Sequence, residues 1–497
     1  MKKLLALLAA VVLGTQSLYA SDFLFMKNIK FYGEGQTIGY VVQNGYDVNV
    51  ARIAKGTSKN DVAGMLNTNY NGVATFLTAG ITFDIVKNIS ADFSLAYSNN
   101  WADGGNQIFS LANNPSGSAT KGDSIQSYLD NIRVQTANVT IKNLFDVDGF
   151  SVKVGRQYYG DEDSSVMYFG VRHYQPLFGL NLPFIGFDNM TSVNAVTFNY
   201  DKEKIKANIV YANLGRILGV PLGADAAILG SIAKGIDEYI NLDKDTIIIG
   251  ADVKLLKLAD FFNLQLYGYD VETPVLVDHY SIAGVKPGIE VGGLKLSVEY
   301  ATNFAGKNPF SSGYIFKIDE DKEQGVKNGG NLIKADISYD IEKKAKVRAS
   351  YAMQGGTEGL KELLDGQASE KIIIKPFINF GNYVPGMVFG QQNITRILSM
   401  VDFKAINVGV DYFVNKFTFS VDYYNLTSRD NGLNYGDEVD LKVKYQYIKG
   451  LDFFFGVGCF MASDDINSKI KTITGGDVEN FLSDMTSTFQ LGASYKF

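Results

Sequence analysis

Two histidines, one cysteine and a run of three acids are the residues from which chemistry would first be sought in this chain of 497 residues. An activated serine needs a base within reach, most often histidine. His173 lies among Arg172, Tyr174 and Gln175, downstream of Ser164 and Ser165, and His279 follows Asp278. Both read as solvated loop or rim residues, and no catalytic residue is assigned. The run Asp161-Glu162-Asp163 has the hard oxygen ligands that calcium takes, but its spacing matches no EF-hand loop. It reads as a solvated acidic loop or as a set of pore charges. Cys459 stands alone, so one chain holds no disulfide framework. No metal or cofactor site is assigned.

The other charges recur at alternate positions, with apolar residues between them. Asp252 and Lys254, Lys334 and Asp336, Lys346 and Arg348, and Asp440, Lys442 and Lys444 are examples. A period of two places each set on one face of a strand, with water on that side and an apolar medium on the other. The last nine residues show the same alternation. Phe489, Leu491, Ala493, Tyr495 and Phe497 share one face, and Gln490, Gly492, Ser494 and Lys496 the other. Eighteen such segments can be counted from 33–44 to 487–497, or sixteen if those near 129, 150 and 279, whose facing is ambiguous, are read otherwise. Short links such as 87–88, 201–204 and 414–416 alternate with longer segments such as 45–68, 99–128, 160–190, 214–245 and 354–403. With both ends on one side of a membrane, every long segment falls on the other side. The fold class expected is therefore all-β: a transmembrane antiparallel β-barrel with short periplasmic turns and long outer loops.

Residues 1–20 begin with Lys2 and Lys3, continue with an apolar run too short for a permanent membrane helix, and end at Ala20, as a secretory signal peptide does. The aromatic last residue makes Tyr495 and Phe497 an expected assembly signal, read by barrel-assembly machinery. Without residues 1–20 the chain has 46 minus 2, or 44, basic residues against 53 acidic ones, a net charge of −9. That balance argues against a nucleic-acid partner. No linker or change of pattern divides 21–497, so one barrel domain in outer-membrane lipid is expected, as monomer or homotrimer. A barrel of this width leaves an aqueous channel unless loops plug it. The function expected is an outer-membrane porin for small hydrophilic solutes, not an enzyme. A selective channel for acidic saccharides or other anions, and a closed barrel serving as adhesin or structural surface protein, are the alternatives.

The stretch ANVTIKNLF at 137–145, followed by VKVGRQ at 152–157 and Tyr159-Gly160-Asp161, resembles the alginate-export family of outer-membrane porins, in which a strand ends in Gly-Arg-Gln at the start of the third outer loop. The resemblance covers about residues 130–200 and implies a passive porin with a substrate-lined pore; unlike that family, this lumen is not dominated by arginine. The third outer loop, about 160–190, is expected to fold inward with its apolar stretch 177–187 on the wall. Its acids Asp161, Glu162 and Asp163 would then face a basic wall of Lys334, Lys346 and Arg348, flanked by Lys295 and Lys344. A hairpin centred near Glu342 would set Asp336 opposite Arg348 and Asp340 opposite Lys344, tempering that wall and leaving a mild anion preference. If this loop is not the eyelet, 354–403 is the next place to look. Ile228, Ile232, Ile236 and Ile240 suggest a short amphipathic helix at 224–240.

Overall fold

The computed structural model describes residues 27–46, 67–102, 132–171, 192–215, 246–272, 279–304, 324–326, 329–359, 372–375, 377, 381, 383, 385–389, 402–465, 468 and 484–497. Expectations that fall elsewhere, namely the signal peptide, His173, the apolar stretch 177–187 and the helix at 224–240, lie outside these residues.

Eighteen strands form one closed sheet. They are β1 Lys27–Tyr46, β2 Asn67–Val86, β3 Ile89–Ala102, β4 Ile132–Lys142, β5 Phe150–Gln157 and β6 Val193–Lys202, then β7 Ile205–Gly215, β8 Thr246–Leu255, β9 Phe262–Glu272, β10 His279–Val291, β11 Leu294–Phe304 and β12 Asn331–Ile341. The last six are β13 Ala345–Gly355, β14 Asp402–Val414, β15 Phe417–Thr427, β16 Asn434–Ile448, β17 Leu451–Ala462 and β18 Met485–Lys496. Each pairs antiparallel with its neighbours in sequence, and β1 also pairs with β18, which closes the ring. Closure gives the backbone polar groups of every strand a partner, the condition for crossing a bilayer with strands.

The alternation seen in the sequence decides which side chains face out. On β14, Ile406, Val408, Val410 and Tyr412 are exposed on the exterior, while Asn407 is buried toward the lumen. The same rule puts Phe453 and Phe455 of β17 outside, and Glu438 and Asp440 of β16 inside. An exterior this apolar is solvated by lipid. At the end with the short turns, Phe417, Phe419, Tyr445, Tyr447 and Phe453 form a chain of ring contacts, as in an aromatic girdle.

The short turns are built by residues that accept left-handed backbone: Asn88 at φ 67°, Asn415 at φ 54° and Gly450 at φ 85°. The turn after β12 corrects an expected register. Glu342 and Lys343 both have positive φ, at 46° and 60°, and Lys344 N donates to Ile341 O at 2.8 Å. The hairpin is thereby centred on Lys343, so Asp336 faces Ser350 and Asp340 faces Lys346. At the seam, Gly33 and Phe497 exchange backbone hydrogen bonds of 3.1 and 2.9 Å, and the Phe497 ring covers the place where a Cβ on Gly33 would stand.

Candidate functional site

The lumen wall is polar, and many of its carboxylates are satisfied by neighbours one or two strands away. Asp252 accepts from Asn208 Nδ2 and Gln265 Nε2, both at 2.7 Å. Asp92 accepts from Tyr32 OH at 2.6 Å and Asn138 Nδ2 at 3.2 Å. Tyr267 OH donates to Glu299 at 2.9 Å. Such cross-strand bonding follows from the period of two, which puts these side chains on the lumen face, where a long tyrosine also reaches past the neighbouring strand.

Two segments depart from the wall and enter the lumen. The first follows β5. Gly155, at φ 120°, has its Cβ position only 2.3 Å from Ala137 O, so glycine alone fits there. Gln157 then anchors the exit. Its Nε2 donates to Ala195 O at 3.0 Å, and its Oε1 accepts from Thr197 Oγ1 at 3.1 Å. Ser164 Oγ accepts the amides of Val166 and Met167 at 3.2 and 3.0 Å, which turns the chain back. Val166, Met167 and Phe169 are thereby buried against inward residues of β6 to β12, among them Val193, Val210, Ile248, Tyr269 and Ile282.

The second segment lies between β13 and β14. Phe377 is fully buried in the same apolar cluster as Val166 and Phe169. Gly381 approaches so closely that a Cβ there would lie 2.1 Å from the carbonyl carbon of Ser165. Tyr383 places its ring 5.1 Å from Lys334 Nζ. Further on, Met387 N donates to Asp440 Oδ2 at 2.9 Å, and the amides of Val388 and Phe389 donate to Glu438 Oε1 and Oε2 at 2.7 and 2.8 Å. Phe389 packs among Phe403, Tyr435 and Phe460 of β14, β16 and β17. The two segments therefore touch each other, and the second also reaches the β14–β17 wall.

The acids expected at a constriction are on the first segment, but with other partners. Asp161 pairs with Lys254 of β8, and Asp163 with Lys286 of β10 at 3.5 Å. The apolar residues that follow bind this segment to the β6–β12 wall, and Lys254 and Lys286 are lumen-facing cations of that wall. The residues expected opposite are engaged locally. Lys334 pairs with Asp336 at 2.9 Å, and Arg348 bridges Asp411 at 2.9 Å and Asp422 at 3.0 Å. Lys295 and Lys344 pair with Glu290 and Glu342. Lys346 stands between Asp340 and Asp411 in the strand register. The nearest ion-pair partners of Asp161 and Asp163 are thus Lys254 and Lys286, and those of Lys334 and Arg348 are carboxylates of their own wall. His279 Nε2 lies 2.6 Å from Asp270 Oδ1, and Ser281 Oγ donates to the same oxygen at 2.8 Å. Ser164 Oγ is engaged as a turn acceptor.

Glu438 was not legible as a site residue. Its partners are backbone amides, which carry no residue signature; the only cue was Pro385-Gly386 followed by Met387-Val388-Phe389, a turn and an apolar triplet inside an outer loop.

Several solved barrels align with this arrangement over nearly their whole length. OpdO of Pseudomonas aeruginosa shares 10% identity, with 95% of this chain and 98% of that chain covered and a TM-score of 0.52. A second structure, titled OccK3 (OpdO) from the same organism, gives 10%, 94%, 96% and 0.50. OccAB4 of Acinetobacter baumannii gives 10%, 94%, 98% and 0.50. At this identity the likeness establishes the fold. No family model, that of the alginate-export porins included, and no curated protein sequence matches the chain.

Proposed function

We propose that this protein is an outer-membrane porin that passes small hydrophilic solutes down their gradients through an aqueous lumen narrowed where the two inward segments meet. The observation that carries this reading is their contact inside a wide, polar barrel, Gly381 against Ser165 and Val166. An eighteen-stranded lumen is too wide to select by itself, and inward segments supply the narrowing. The barrels it resembles in fold are outer-membrane porins, which supports the same reading. Tyr495 and Phe497 serve as the assembly signal, with barrel-assembly machinery as the partner.

Within the narrowing, Asp161, Glu162 and Asp163 line one side with Lys254 and Lys286, while Lys334 beside Tyr383 lines another. Lys346 and Arg348 belong to the wall. Because most of these charges are paired, the net field is small and ion preference is mild. Wild-type proteoliposomes placed in isotonic small sugars, amino acids or carboxylates should swell, with rates falling as solute size rises. Absence of swelling with correctly inserted protein would favour a closed barrel acting as adhesin or structural surface protein. Swelling confined to acidic saccharides or other anions would favour the selective alternative.

A further inference from the structure

We propose that Glu438 and Asp440 are positioning residues for permeation: by holding residues 386–389 against the wall they set the size of the largest solute admitted. The inference rests on the porin reading above. Both carboxylates are on the lumen face of β16, and both are essentially without solvent exposure, at 0% and 1%. They therefore touch no passing solute. What they touch, besides each other, is backbone, since three consecutive amides, of Met387, Val388 and Phe389, converge on them. Three N–H donors aimed at carboxyl oxygens fix the position of this segment, and contacts buried this deep are little screened by salt.

The surroundings are shaped for this contact. Gly386 has φ +75°, and a Cβ on it would lie 2.5 Å from Glu438 Oε1. On β17, Gly456 and Gly458 leave the room that Met387 and Val388 fill, because a Cβ on Gly458 would stand 3.0 Å from Met387 Cβ and from Val388 Cγ2. At its other end this segment meets the first one, Gly381 packing closely against Ser165 and Val166. The carboxylates are thus the directional fastening. Remove them and three buried amides lose their acceptors, which favours release of the segment from the wall.

The test uses full-length protein in proteoliposomes and a series of neutral sugars from pentose to trisaccharide, so that field effects drop out. The isosteric double variant Glu438→Gln/Asp440→Asn, and separately Gly386→Val with both acids intact, should swell severalfold faster than wild type in the larger sugars and little faster in the smallest. A Met387→Cys/Gly458→Cys pair added to the double variant in a Cys459→Ser background should restore the wild-type cut-off when oxidised and lose it again on reduction. Folded barrels are selected by heat-modifiable gel mobility. An unchanged cut-off in both folded variants overturns the proposal, as does a shifted cut-off that the disulfide cannot reverse. Wild-type liposomes that admit no sugar would instead sink the porin reading itself.

Discussion

The two inward segments are both held by carboxylates, in opposite ways. On the first, the acids belong to the loop and reach wall lysines across the wet lumen; the Asp161 and Asp163 side chains are 45% and 82% exposed. On the second, the acids belong to the wall, are buried, and reach loop amides. An exposed ion pair contributes about 0–1 kcal/mol and is screened by salt. A hydrogen bond to a buried acceptor contributes about 0.5–1.5 kcal/mol net, and leaving its donor unsatisfied costs about 1–3 kcal/mol. The same residue types make exposed, screened ion pairs in one place and a buried fastening in the other, and burial decides which.

The strongest way to break this contrast is Glu438→Ala. It deprives two buried amides of their acceptor, at about 1–3 kcal/mol each. The temperature at which the folded gel band converts to the unfolded one should fall clearly; an unchanged conversion temperature would mean that the fastening is weak. Arg348→Met is read electrically, because the guanidinium is 29% exposed and its carboxylate partners lie on the lumen face. It leaves Asp411 and Asp422 side by side without their cation, so reversal potentials at low salt should move toward cations. No movement would show that this part of the wall does not face the conducting path. The smallest effect on stability is expected from Asp161→Asn/Glu162→Asn/Asp163→Asn, about 1 kcal/mol or less. Here the readout is electrical: single-channel conductance should change and selectivity should move toward anions near 0.1 M salt, with the difference shrinking at about 1 M, where the screening length is about 3 Å. Wild-type values for both at low salt would place the conducting path away from these acids.

How much of this was legible in the sequence follows from what each part depends on. The eighteen strands depend on a local period of two and on alternating link lengths, and both are written in the chain. The hairpin after β12 was placed two residues out of partner because Glu342-Lys343-Lys344 does not reveal which residues take left-handed backbone. Since that error shifts each cross-strand partner by two, it preserved every side chain's face and changed only its neighbour. The acids of the first segment were legible as loop charges, but not their partners, because Val166, Met167 and Phe169 fix the segment to the β6–β12 wall through contacts distant in sequence. Glu438 was invisible for a plainer reason. A carboxylate that binds amides looks, in sequence, like any other lumen charge.

The central claim, an open aqueous path through the barrel, is tested most directly by the current that purified wild-type protein carries in a planar bilayer at modest voltage. The account predicts discrete insertion steps, each followed by steady open-channel current with a reversal potential near zero under a moderate salt gradient. Clear insertion into a membrane that stays sealed would contradict it.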